Sequence, residues 1–139
     1  MGEKERAKLT QETAKKLFGP SGRGGAYAVW KDFDPELARH ISMFYTGRMY
    51  AREVLTQRER ELCAVGALTV RGFWDELHIH CNAALNVGAT KQEVAEVIFQ
   101  MGTYGGAPCT VEGLKVLRKV LEERGEWAPA AGGSSTHPT

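Results

Sequence analysis

Residues 56–93 read TQRERELCAVGALTVRGFWDELHIHCNAALNVGATKQE. Thr56 and Glu59 open this stretch in the spacing of a capping box, and Thr90 and Glu93 repeat that spacing at its end. Between the two boxes, apolar residues recur three and four positions apart, which is the period of an amphipathic helix. The stretch therefore predicts two consecutive helices and the start of a third.

The same signals occur on both sides of this stretch. Asp34-Pro35 has an N-cap residue followed by proline at the first helical position, so we expect a helix from there to about Tyr50. Thr10 is the predicted N-cap of a helix over residues 10–18, and the last helix is expected over residues 110–124. No segment shows the two-residue period of a strand. The sequence predicts an all-α fold of about six helices, with antiparallel packing across short connections.

Glycine and proline divide the chain into three parts. We expect residues 1–25 to form an N-terminal helix and a Gly-rich hinge, which reads GPSGRGG over residues 19–25. Residues 26–125 are expected to form one helical domain. Residues 126–139 are rich in Pro, Gly, Ser and Thr, which predicts a flexible tail.

Composition excludes several classes of protein. The chain has 139 residues and a formal net charge of +1, so it lacks the broad positive charge of proteins that bind nucleic acid or an anionic membrane. The polar N-terminus predicts no signal peptide, and no apolar run is long enough to span a bilayer. We therefore expect a cytoplasmic protein with neither nucleic acid nor a membrane as partner.

Three ionisable residues, Glu61, Glu76 and His80, lie among apolar residues of the two predicted helices. Glu76 and His80 are four positions apart and so share one helix face. Burial of a carboxylate or an imidazole without a partner is costly, which indicates that these side chains face each other or a pocket. Such a pair can transfer protons near neutral pH, although the same spacing also occurs in solvated helix pairs.

A metal site would need Glu61 as a third ligand to Glu76 and His80. No HxxxH spacing and no cysteine cluster supports one, so we expect no metal and no other cofactor. The cysteines are three and widely spaced, at Cys63, Cys81 and Cys109, which is not a disulfide framework. We expect them to be buried, reduced thiols.

The run ELHIHCNAALNVGATKQEVAEVIFQMGTYGGAP, at residues 76–108, resembles the carboxymuconolactone decarboxylase family. The shared pattern is a histidine, an Ala/Leu-rich turn, Asn-x-Gly-x-Thr, an acidic helix and Tyr-x-Gly-x-Pro, and the resemblance extends over about residues 33–123. It implies an AhpD-like all-α fold that assembles as an obligate homo-oligomer, a trimer or a hexamer built from dimers. It also implies sites in clefts near subunit interfaces.

One branch of this superfamily, the AhpD-like alkylhydroperoxidases, uses a Cys-x-x-Cys pair, a histidine and an upstream glutamate. Alignment on the Asn-x-Gly-x-Thr turn places His80 on that histidine and Glu61 on that glutamate. The two cysteine positions fall on Phe73 and Glu76. Since neither position carries sulfur, the disulfide-forming cycle cannot run there.

The decarboxylase branch resembles the chain more closely. Its members often have Trp-x-Arg before the buried helix, and here Tyr50-Ala51-Arg52 takes that place, so Arg52 is a candidate for binding a substrate carboxylate. The resemblance implies a cofactor-independent lyase that acts by proton transfer on a small-molecule carboxylate or lactone. His80 would donate the proton. Glu61 would orient the His80 ring or return a proton to it, and Glu76 would tune the proton affinity of that ring.

Two alternatives stay open at this point. The first is a thiol peroxidase that uses Cys63 or Cys81, including a Cys63–Cys81 pair between helices. The second is a non-catalytic oligomeric binding protein in which Glu61, Glu76 and His80 form a structural network.

Overall fold

A computed structural model describes residues 1–20 and 25–131, and within these ranges all regular secondary structure is helical. The helices are α1 (Glu3–Phe18), α2 (Gly25–Phe33), α3 (Pro35–Phe44), α4 (Gln57–Arg71), α5 (Trp74–Asn86), α6 (Lys91–Gly105) and α7 (Ala107–Glu123). A π-helical turn, Tyr45–Met49, follows α3 directly. The predicted all-α fold is confirmed. In the described part of the chain, no helix is both long and apolar enough to cross a membrane.

The predicted helix starts at Asp34, Thr56 and Thr90 are confirmed, with each of these residues as the N-cap. The hydroxyl groups of Thr56 and Thr90 each accept a hydrogen bond at 3.1 Å from the backbone N–H three residues later. Asp34 accepts one at 2.9 Å from the backbone N–H of Leu37. These bonds satisfy N–H groups that a helix leaves free at its start. Gly88, with φ of 101°, follows the end of α5 in a backbone conformation that favours glycine.

The predicted start of the first helix is wrong, because α1 begins at Glu3 and Thr10 lies in its middle. The Thr10 hydroxyl donates to the Arg6 carbonyl at 2.7 Å, one turn back in the same helix. The sequence analysis also missed α2, whose first residue is Gly25. Residues 21–24 of the predicted hinge and residues 132–139 of the predicted tail lie outside the described ranges.

Helices α4, α5, α6 and α7 enclose the hydrophobic core. Its buried members are Val65, Leu77, Cys81, Ala84, Ala89, Val94, Ile98, Leu117, Val120 and Leu121. Helix α4 packs against both α5 and α6, and it buries Glu61, Val65 and Thr69, which are spaced one turn apart. Its opposite face is not buried, since Val70 is 38% exposed.

Helix α1 is held against the rest of the molecule at two points. Asn86 donates from Nδ2 to the Leu17 carbonyl at 2.8 Å, which fixes the end of α1 to α5. Near the start of α1, Arg6 donates from Nη1 to the Gly47 carbonyl at 2.8 Å. A Cβ atom at Gly47 would collide with the Thr10 side chain. Glycine at this position thus allows α1 and the π-helical turn to approach closely.

Replacing Gly47 with alanine should lower the free energy of unfolding. Alanine gains about 1 kcal/mol of helix propensity, but overpacking of a close contact costs about 1–3 kcal/mol and also displaces the Thr10 and Arg6 hydrogen bonds. We expect a net loss of about 1–2 kcal/mol in urea denaturation. Gly2→Ala is the control, because no atom lies within 4 Å of a Cβ there. Equal midpoints for Gly47→Ala and the unchanged protein would contradict the proposed contact.

Candidate active site

A buried ion pair joins α4 to α5. Nδ1 of His80 lies 2.6 Å from Oε2 of Glu61. The Glu61 side chain is 0% exposed and that of His80 is 20% exposed. A carboxylate accepts hydrogen bonds and does not donate them, so Nδ1 is the donor. The distance is that of a charge-assisted hydrogen bond. Of the three residues expected to face each other or a pocket, the structure brings Glu61 and His80 into direct contact.

This pair changes the protonation of His80. Burial alone disfavours the imidazolium, but the hydrogen bond to Glu61 and the charge of that carboxylate act in the opposite direction. The nearby charge of Glu76 adds to them, and the pKa of His80 is raised above its ordinary value of 6.5. The charged form of the imidazole therefore persists to higher pH than in a free histidine.

Tyr50 lies beside the same carboxylate. Its burial raises the pKa of the phenol, and the negative charge of Glu61 raises it further, so Tyr50 keeps its proton. The side-chain amide of Gln57 donates to the Tyr50 carbonyl. The Arg60 guanidinium lies 6.0 Å from the centre of the Tyr50 ring. Tyr50 is thus held in place as a neutral hydroxyl group next to the ion pair.

The second oxygen of Glu61, Oε1, is buried and has no hydrogen-bond partner among the described residues. A buried carboxylate oxygen in this state is costly, and the positive charge that His80 acquires on protonation lowers this cost. Glu61 therefore favours a proton on His80.

A cavity of about 580 Å³ lies next to the ion pair. It is bounded by α1, α2, α3 and the π-helical turn, and both Tyr50 and His80 belong to its wall. The Phe18 ring meets the His80 ring edge to face, with centroids 6.2 Å apart. Two cationic side chains, Lys15 and Arg39, also line the cavity. Because Nδ1 is bound to Glu61, Nε2 is the ring nitrogen of His80 left for a ligand.

The other predicted site residues lie outside this arrangement or at its border. Glu76 is half-buried and acts on His80 through its charge, with no hydrogen bond among the described residues. Arg52 is exposed, its carbonyl accepts from Nη2 of Arg60 at 3.1 Å, and it is not part of the cavity wall. Its role in substrate binding stays a prediction. His78 points away and lies 2.9 Å from Glu123.

The cysteines differ from one another in exposure. Cys63 is exposed, contrary to the predicted burial, whereas Cys81 and Cys109 are buried, and all three are free thiols. Burial and the charge of Glu61 raise the pKa of Cys81 to about 12, so little thiolate forms at neutral pH. In the described ranges, no group of three or more His, Cys, Asp or Glu side chains is placed to hold a metal ion.

Sequence reasoning did not assign a role to Phe18, Lys15, Arg39 or Trp30, all of which line the cavity. They lie on three helices that meet only in the folded chain, so their spacing gave no signal. For Tyr50 a signal was present, because it takes the place of a tryptophan in the motif that pointed to Arg52.

Sequence comparisons relate the chain to one protein family and to several known proteins. A model of the carboxymuconolactone decarboxylase family matches residues 35–119. An uncharacterised 15.0 kDa protein in the nqo9-nqo10 intergenic region of Paracoccus denitrificans is 36% identical over 118 residues, which is 84% of this chain and 87% of the relative.

Two similar proteins are named for a reaction. The 4-carboxymuconolactone decarboxylase of Acinetobacter baylyi is 27% identical over 125 residues, covering 90% of this chain and 93% of that protein. The nitrosuccinic acid decarboxylase of Metarhizium robertsii is 29% identical over 83 residues, covering 60% of this chain and 58% of that protein.

Replacing Glu61 with glutamine should lower the pKa of His80, because burial then acts with only the charge of Glu76 to oppose it. Histidine ring protons followed by NMR across a pH titration would measure this. Glu76→Gln should lower the same pKa by less, since Glu76 is the smallest of the contributions. A His80 pKa that is unchanged in Glu61→Gln would contradict the ion pair.

The same pair predicts a pH dependence of stability. Because the pKa of His80 is raised in the folded state, its protonation stabilises the fold. This stabilisation is fully present below the unfolded pKa of 6.5 and is lost as the pH rises through the folded pKa. The unchanged protein should therefore exceed Glu61→Gln in stability by more at acidic pH than at alkaline pH. Urea denaturation of both proteins at several pH values measures this stability difference. A difference that increased with pH would contradict the raised pKa of His80.

Proposed function

The chain belongs to the carboxymuconolactone decarboxylase family, and we propose that it is a cofactor-independent decarboxylase of a small-molecule carboxylic acid or lactone, with His80 as proton donor. The observation that carries this proposal is the place of His80. Its ring is in the wall of a cavity, and its Nδ1 is 2.6 Å from a fully buried carboxylate. Two relatives that are named as decarboxylases support the reaction class.

Decarboxylation needs a group that delocalises the electron pair left on the substrate carbon, and it needs a proton donor. When the bond to the carboxyl carbon breaks, CO₂ leaves and the bonding electron pair stays on the substrate carbon. A nitro group, or a carbonyl conjugated with that carbon, can delocalise the pair, so the substrate itself can do what a cofactor does in other decarboxylases. Protonation of that carbon, or of an atom conjugated with it, then completes the reaction.

The residues around His80 support its role as the donor. Nε2–H of the imidazolium would supply the proton, and the product imidazole would keep its Nδ1–H on Glu61. Water that enters the cavity would then restore the proton on Nε2. Since Glu61 raises the pKa of His80, it favours the return of the charged form. Tyr50 stays neutral, so it places a hydroxyl group, and not a second negative charge, beside the Glu61 carboxylate.

The charges in the cavity suit an anionic substrate. Lys15 and Arg39 line it, and the imidazolium of His80 adds a third positive group. Glu76 would repel a carboxylate that approached it directly, so we place the leaving carboxyl group on the cavity side of His80, away from Glu76. This side is dominated by cationic and apolar residues.

A peroxidase based on Cys81 has little support, because that thiol is buried and its pKa is raised to about 12. Cys63 is exposed but does not line the cavity. A Cys63→Ser variant that also carries Cys81→Ala separates the two functions. This double variant should retain decarboxylation. If the unchanged protein reduced a hydroperoxide at the expense of a dithiol and the double variant did not, the peroxidase would be favoured.

Replacing His80 with glutamine should lower decarboxylation by about 10²- to 10⁴-fold, the usual contribution of a positioned general acid. Release of CO₂ from 4-carboxymuconolactone, nitrosuccinic acid and related activated acids gives the measurement. His78→Gln is the matched control, because His78 is on the same helix and outside the cavity. In D₂O, one deuterium should enter the product.

Full turnover in both His80→Gln and Glu61→Gln would reject the role of the pair in catalysis. If the same two variants dissociated an oligomer and the unchanged protein released no CO₂ from any activated acid, the non-catalytic alternative would be preferred, because the pair would then act as a structural network.

We further propose that the protein works as a homo-oligomer. Several large apolar side chains are exposed in the single chain, among them Phe33 at 88%, Tyr104 at 70% and Phe99 at 59%. Exposed apolar residues in such number suggest a surface that is covered in solution. The trimer or hexamer of dimers implied by the family resemblance would provide that cover.

Light scattering after size-exclusion chromatography should give a mass of three or six chains. Phe99→Glu is expected to lower this mass, since a charge in an apolar interface is costly. Glu96→Gln on the same helix is the control. A monomer at micromolar concentration would contradict the proposed assembly.

A further inference from the structure

The cavity is elongated along α1. Ala7 is the first α1 residue in its wall and Phe18 is the last. Eleven helical steps separate them, which at 1.5 Å each is about 16 Å. Residues at intermediate turns of α1, such as Ala14, also belong to the wall. The cavity is thus much longer than a compact lactone requires.

The two ends of the cavity carry different groups. At the Phe18 end, the His80 ring lies 6.2 Å from the Phe18 ring. At the other end, Arg39 donates from Nη1 to Oε1 of Glu3 at 2.7 Å, one turn before Ala7. Both His80 and Arg39 line the cavity. An imidazole that carries a proton therefore stands at one end, and a guanidinium at the other.

The wall between these ends presents more apolar than polar surface, and Thr10, Gln11, Lys15, Ser42 and Thr46 supply its polar part. Ala7 and Ala14 leave space beside α1, and the rings of Tyr27 and Trp30 on α2 line the same cavity, as does Met43 on α3. Small side chains beside aromatic ones form a slot that accepts an extended apolar body and gains from covering it.

The Arg39 guanidinium already binds a carboxylate, that of Glu3. Both side chains are well exposed, at 48% and 67%. Exposed ion pairs contribute little to stability and exchange readily. The carboxylate of a ligand can therefore take the place of Glu3 on Arg39, in the two-pronged geometry that arginine offers.

We propose that the substrate is an elongated dicarboxylic acid with an apolar body, whose reacting carboxyl group lies at His80 and whose second carboxylate binds Arg39. This inference rests on the proposed decarboxylase function for the role of the first carboxyl group. The length of the cavity, its apolar wall and the guanidinium at its far end carry the rest.

Binding can be tested without turnover. Isothermal titration calorimetry of the full chain with sebacate, decanoate and succinate separates length from the second charge. We expect sebacate to bind about tenfold or more tightly than succinate, and more tightly than decanoate. Succinate that binds as tightly as sebacate would overturn the inference.

Two pairs of variants locate the binding. Arg39→Gln should bring the sebacate affinity down to that of decanoate, while Arg48→Gln, which is exposed and outside the cavity wall, should not. Ala7→Leu should fill the far part of the cavity and weaken sebacate and decanoate but not succinate. Ala28→Leu, exposed on α2 and outside the wall, is its control. Thermal melts confirm that each variant is folded.

An unchanged preference of Arg39→Gln for sebacate over decanoate would overturn the assignment of the second carboxylate. The outcomes also separate this inference from the proposed function. Tight sebacate binding without decarboxylation of any activated acid supports the elongated site and rejects the decarboxylase. Decarboxylation of a compact acid through His80, with no sebacate binding, keeps the decarboxylase and rejects the elongated substrate.

Discussion

The carboxylate of Glu61 is fully buried, and the hydrogen bond from His80 at 2.6 Å offsets the energetic cost of this burial. An unpaired carboxylate in the same place would cost several kcal/mol. The capping box at Thr56 starts α4 in the register that turns Glu61 inward with Val65. Helix α5 brings His80 to the same point. The protonation of His80, and with it the proposed chemistry, follows from this one contact.

The cavity beside the ion pair is completed by the N-terminal part of the chain. Helices α1 and α2 precede the stretch that the family model matches, yet they supply more than half of the residues in the cavity wall. The Asn86–Leu17 and Arg6–Gly47 hydrogen bonds hold α1 in that position. The matched part of the chain therefore carries the proton-transfer pair, and the preceding helices shape the space in which a substrate would lie.

Local signals in the sequence were enough for most helices and for the ion pair. Capping residues such as Asp34 and Thr90 act within one turn, so their effect can be read without the fold. Glu61 and His80 were found because charged groups among apolar residues need partners, and the family resemblance agreed. The N-cap prediction for Thr10 was wrong, because a threonine hydroxyl can also donate to a carbonyl one turn back in its own helix. Arg39 and Phe18 gave no signal, since the cavity exists only once distant helices have packed.

The tautomer of His80 is the most direct test of its hydrogen bond to Glu61. In ¹H–¹⁵N spectra of labelled protein near neutral pH, Nδ1 of His80 should carry a proton, whose ¹H resonance is shifted downfield by the hydrogen bond to Glu61. That resonance should be absent from Glu61→Gln. A neutral His80 that carries its proton on Nε2 only, with Nδ1 bare, would contradict the donation to Glu61 and the mechanism built on it.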